Sequence, residues 1–85
     1  MRDTPYASEL ARASFTFPDG SEGRIERLQF KSPAAIGYRF SWWKENRMIP
    51  RPLDATEDQL LALLKDAVNR AFSERFVAEL RHILE

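Results

Sequence analysis

The chain has 85 residues, of which 44% are hydrophobic and 12% aromatic; thirteen bases balance thirteen acids and there is no cysteine. That length fits one domain with one modest core, and the missing thiols exclude disulfides and thiolate metal sites. The longest apolar run, Leu60 to Leu64, is five residues, against the roughly 20 that a membrane span needs; with no secretory-type segment after Met1, the expectation is a cytoplasmic protein with no membrane partner.

Near the start, Thr4-Pro5 followed by Ala7, Glu9 and Leu10 is compatible with a short capped helix. Ala11, Ala13, Phe15 and Phe17 then alternate with Arg12, Ser14 and Thr16, the period of a half-buried strand. Pro18-Asp19-Gly20-Ser21 supplies turn chemistry. A second strand is predicted at about Arg24–Phe30, with Leu28 and Phe30 on one face. Ile25 is out of phase with them, which predicts a bulge or a weak start there.

Ser32-Pro33 ends that strand, and a third begins near Ala35. Ile36, Tyr38, Phe40 and Trp42 share one of its faces, while Gly37, Arg39, Ser41 and Trp43 share the other. The first set is assigned to the helix-covered core. Lys44-Glu45-Asn46-Arg47 is short and polar, as a hairpin connection should be. Met48 to Pro52 would be a fourth strand and, if it is a strand at all, lies at a sheet edge, because Pro50 and Pro52 have no N–H to donate.

Asp54 and Thr56 each stand three residues before Glu57 and Gln59, as two overlapping capping boxes. On a helical wheel Leu60, Leu61, Leu63, Leu64, Ala67, Val68, Ala71 and Phe72 centre at roughly 35°. Phe76, Val77, Leu80, Ile83 and Leu84 centre at about 200°. The apolar face jumps near Ser73, itself a good N-cap, which predicts two helices; the rival is one long helix buried on both sides by a dimer partner. The fold class is therefore α+β: an antiparallel three- to four-stranded sheet over about 10–52, with two C-terminal helices, about 56–72 and 74–84, packed on one face.

The formal charge is zero but segregated. Residues 24–51 hold Arg24, Arg27, Lys31, Arg39, Lys44, Arg47 and Arg51 against Glu26 and Glu45, seven bases to two acids and hence +5. Both tryptophans lie in this block, and basic surfaces carrying rings hold nucleic acid or other anions. Neighbouring strand residues point to opposite faces, so Trp43 is left outside with Arg39, placed to stack a base. The candidate nucleic-acid site is Arg39, Trp43, Lys44, Arg47 and Arg51. In a meander, Arg24, Arg27 and Lys31 would merge with it into one patch. The structural alternative is a Trp43 covered by Tyr6 and Leu10, by a dimer mate, or by Arg39 as a cationic lid.

Enzyme chemistry is poorly provided for. His82 is the one histidine, and near a helix C-terminus it suits the dipole. No nucleophile–base pair, metal cluster or phosphate loop stands out, so no catalytic residue, metal ligand or cofactor is assigned. Asp66–Arg70 and Arg75–Glu79 read as surface helix pairs.

The strand order, with an aromatic-basic strand before Arg51-Pro52-Leu53-Asp54, loosely resembles single-stranded-DNA-binding transcriptional coactivators of the PC4 type over roughly residues 24–70. In that family a curved sheet carries the nucleic acid and a C-terminal helix makes the dimer. The family's glycine-rich entry to the helix is replaced here by Pro50-Arg51-Pro52. The segments Gly37-Tyr38-Arg39-Phe40-Ser41-Trp42-Trp43 and Pro52-Leu53-Asp54-Ala55-Thr56 also resemble small uncharacterised proteobacterial proteins, which imply no function. Two readings stand: a small binding module whose basic aromatic sheet face contacts single-stranded nucleic acid, or a protein-interaction domain that homodimerises with no nucleic-acid role.

Overall fold

The computed structural model describes residues 3–85. Three long strands, β1 (Ala7–Thr16), β2 (Glu22–Lys31) and β3 (Ala34–Lys44), and a two-residue β4 (Arg47–Met48) precede α1 (Glu57–Arg70) and α2 (Glu74–Leu84). The strands form one antiparallel meander in the order β1-β2-β3-β4, and the helices follow it, as the α+β reading expected.

Residues 7–10 open β1 and do not form the short helix: Ala7 pairs with Phe30 and Glu9 with Leu28. A ladder beside β2 satisfies more backbone groups than a single isolated helical turn, whose nucleation is unfavourable. The irregularity expected at Ile25 lies in β1 instead, between Glu9 and Ala11, where Leu10 is the extra residue. β2 is regular. Ile25 points to the helices and is fully buried, while Leu28 is buried on the opposite face. Both faces of this central strand are closed, so simple alternation fails there.

The first hairpin turns at Gly20, whose φ of 86° is left-handed. Phe17 N–H donates to Ser21 O at 2.8 Å, and the Asp19 carboxylate accepts from Ser21 N–H at 2.9 Å. In the β3–β4 hairpin Glu45 and Asn46 have φ of 49° and 66°, the pattern of a type I′ turn, which matches the twist of its strands.

Of the overlapping boxes, Thr56–Gln59 forms: Gln59 N–H donates to Thr56 Oγ1 at 3.1 Å, and Thr56 N–H to Gln59 Oε1 at 3.0 Å. The helical run breaks at Ser73, so there are two helices and not one. Ser73 Oγ accepts from Phe76 N–H at 3.2 Å as the N-cap of α2, and Ser73 N–H donates to the Tyr38 hydroxyl at 3.0 Å.

The core is Ala13, Ile25, Leu63, Ala67 and Ala71, surrounded by Phe15, Tyr38, Leu53, Leu64 and Phe72. α1 lies over β1 and β2, and its Asp66 carboxylate accepts the Ser14 N–H of β1 at 2.9 Å. The molecule is 18 Å in its thinnest direction, as one sheet and one helix layer about 10 Å apart require. A helix about 10 Å across, on strands about 4.8 Å apart, cannot shield all four. Tyr38 and Trp42 are half-buried, but Ile36 and Phe40 on the same side of β3 stay exposed, Phe40 by 51%; they are not the core residues that their alternation suggested. α2 is anchored at its first turn, where the Phe76 ring lies 5.0 Å from Tyr38 and 4.9 Å from Phe72. No α2 residue is buried.

Candidate functional site

Cross-strand partners share a face, so the β2 register sorts the basic block. Arg24 stands opposite Ser41, Glu26 opposite Arg39 and Glu22 opposite Trp43, all on the face away from the helices. Arg27 pairs with Tyr38 and so belongs to the helix side. Lys31 bridges to Asp3 at 2.8 Å. The meander forms, yet the bases do not merge into one patch, because Arg24 and Arg27 are an odd number of residues apart.

On the far face the charges are closed into a network. Glu26 is fully buried and lies in a cross-strand row between Arg12 and Arg39. It accepts the Arg39 fork through Nε and Nη2, both at 3.3 Å, and the Ser41 hydroxyl at 3.0 Å. Arg24 pairs with Glu22 at 2.6 Å and Arg12 with Glu9 at 2.9 Å. Among the described residues, three acids thus face three bases. Hydrogen bonding to Glu9 raises the Arg12 guanidinium above its ordinary pKa.

Trp43 belongs to this network. It is 8% exposed, with the Arg24 guanidinium carbon 4.1 Å from the ring centroid and its indole N–H donating to Ser41 Oγ at 2.8 Å. Among the described residues the guanidinium over the ring is that of Arg24, not Arg39, and the ring face is not open. A base could stack on Trp43 only after Arg24 had moved.

The other three candidates separate from this pair. Lys44 and Arg47 face each other across the β3–β4 hairpin, and Arg51 lies with its guanidinium carbon 5.8 Å from the Trp42 centroid. All three are exposed and form no ion pair among the described residues. Nearby, hydrogen bonds from Ser21 hold the Asp19 carboxyl below its usual range.

The helix side carries surfaces that the charge pattern did not suggest. Leu61, Val68 and Phe72 recur at helical spacing, and the Phe72 ring meets Tyr38 at 5.1 Å. Leu61 and Val68 are exposed on α1, as Phe40 is on β3. A notch of about 280 Å³ between the helices is lined by Val68, Phe72 and Val77 among others. Beyond it, Ile83 and Leu84 are each 77% exposed. The displaced apolar stripe after Ser73 was the sequence signal for this surface; that α1 leaves β3 open was not visible in it.

Among the described residues no group of three or more His, Asp or Glu side chains is placed to hold a metal ion, and no helix is long and apolar enough to cross a membrane. Comparison with protein-family models, curated proteins and solved structures yields no match.

Proposed function

We propose that the chain is a self-associating protein-interaction domain in which two copies exchange α2. The observation that carries this reading is the pairing of two unfilled apolar surfaces in one molecule: the α2 stripe ending in Ile83 and Leu84, and the uncovered strip of β3 around Ile36 and Phe40. Contiguous exposed apolar patches rimmed by polar residues mark interaction sites. The dimensions agree: the 11 residues of α2 span about 16 Å, and Ile36 to Trp42 along β3 spans about 20 Å. A twofold arrangement would use each surface twice and close on itself.

Sedimentation equilibrium tests it. The wild-type chain is expected at twice its 9.9 kDa, and Ile83→Glu and Phe40→Glu are each expected to return it to the monomer with unchanged circular dichroism. A wild-type mass that stays monomeric at high protein concentration would refute self-association.

A second reading, single-stranded nucleic-acid binding, is favoured by one observation: Lys44, Arg47 and Arg51 cluster at the β3–β4 end without ion-pair partners among the described residues. In that reading these three contact phosphates, while Arg39 and Trp43 serve the internal network. Binding should weaken steeply between about 50 and 200 mM salt, and a flat tryptophan signal with oligonucleotide at low salt counts against it.

A further inference from the structure

At the other end of β3, a groove of about 390 Å³ lies between the β1 bulge, the Arg27–Tyr38 pair and the first turn of α2. Its walls are mainly apolar, from Leu10, Ile36, Tyr38 and Phe76, with Ser73 beside them. The bulge is what brings Leu10 here, since an extra residue in a strand re-aims its side chain. The charged lining residues are Arg27 and Arg75, both cations, and no carboxylate lines the groove among the described residues.

Arg27 Nε is buried and has no hydrogen-bond partner. Neither guanidinium forms an ion pair among the described residues, and the helix pair expected between Arg75 and Glu79 is not made. A buried donor on a charged group left without an acceptor is destabilising and uncommon in native proteins. Both features have one remedy. An oxyanion would accept from the planar donor forks of arginine, which match carboxylate and phosphate geometry. The volume falls in the range of small-molecule sites, which combine apolar walls with a few placed polar groups.

We propose that this groove binds an amphiphilic anion, a carboxylate or phosphate head on an apolar body, with the head between Arg27 and Arg75 and the body against Leu10, Ile36, Tyr38 and Phe76. The groove shares Ile36 and Tyr38 with the β3 strip and Arg75 and Phe76 with α2, but neither Ile83 nor Phe40 lines it.

The test is a ¹H–¹⁵N titration of the labelled full chain, in which the Arg27 Nε–Hε signal is observed directly. The probes are sodium octanoate, octyl phosphate, octanol and inorganic phosphate. Octanoate or octyl phosphate is expected to move the Arg27 Nε–Hε signal and the Arg75 and Phe76 amides saturably, the tighter of the two identifying the head group. Octanol and inorganic phosphate should bind at least about tenfold more weakly, as should the best probe to Arg27→Gln or Arg75→Gln. The second variant, on an exposed helix position, keeps the test valid if the first does not fold. The groove is formed within one chain, so the Ile83→Glu variant should bind at least as tightly as wild type, and a failure of self-association leaves this result readable. No saturable shift by about 10 mM, octanol binding as tightly as octanoate, inorganic phosphate binding as tightly as octyl phosphate, or arginine variants that bind unchanged would each overturn the proposal.

Discussion

The two faces of the sheet are built from the same three long strands and are closed in opposite ways. The helix face is apolar and depends on another element to cover it; where α1 lies, Ile25 vanishes from solvent, and where α1 stops, Phe40 is left half in water. On the far face Glu26, Arg24 and Trp43 are buried and tied together through Ser41 and the Arg24–Trp43 contact. Apolar closure is limited by the width of the covering helix. Ion-pair closure extends as far as cross-strand partners alternate in sign. A basic stretch of sequence is therefore no measure of basic surface, because register decides which charges meet.

Substitutions on each face test this contrast. The largest effect should come from Leu63→Ala, which opens a cavity beneath α1 and is expected to cost about 2–5 kcal/mol in urea unfolding. On the far face, Glu26→Ala strands Arg39 and Ser41 and should cost about 2–4 kcal/mol, toward the lower end because the Arg39 side chain is 33% exposed. Glu26→Gln, which still offers an acceptor to Ser41, should cost less. A loss for Glu26→Ala no larger than that of a surface substitution would mean that the face is not held by its network. Gly37→Ala places a Cβ against the Phe30 ring, and such overpacking should lower the thermal midpoint by the equivalent of about 1–2 kcal/mol.

The smallest effect concerns acid. Hydrogen bonds from Lys31 and Ser8 hold the Asp3 carboxyl below its usual range, as Ser21 does for Asp19. A carboxyl whose folded pKa is lowered contributes its stability above the unfolded value of about 3.9 and loses it as pH falls through the folded value. The urea midpoint should thus fall slightly as pH drops below about 4, and less in Asp19→Asn. An Asp19→Asn chain with an acid response identical to wild type would remove Asp19 from that account.

Much of the fold was legible because its signals are local. The strand before Pro18, the Lys44–Arg47 hairpin, the Thr56–Gln59 box and the break at Ser73 each rest on residues within a few positions of one another. Facing was harder. Ile25 looked out of phase because Leu28 and Phe30 set the reference, yet those two belong to the far face and Ile25 to the core. The alternation that placed Trp43 opposite the helices was read correctly, but what covers it depends on Arg24, nineteen positions earlier in the chain and adjacent only through pairing with Ser41. The Arg27 groove was illegible for the same reason: it needs the β1 bulge, the β2–β3 register and the first turn of α2 together.

One contact at the rim of the molecule limits what it can build. β1 ends the sheet, and midway along its outer edge the carboxylate of Asp66, carried by α1, occupies the Ser14 N–H. An incoming strand would need that donor to extend the ladder. With the site taken from within, the sheet has a terminus where it could have had a growing end. Strand addition at this edge is thereby disfavoured, whereas on the opposite side β4 pairs with β3 only at Trp43 and Lys44.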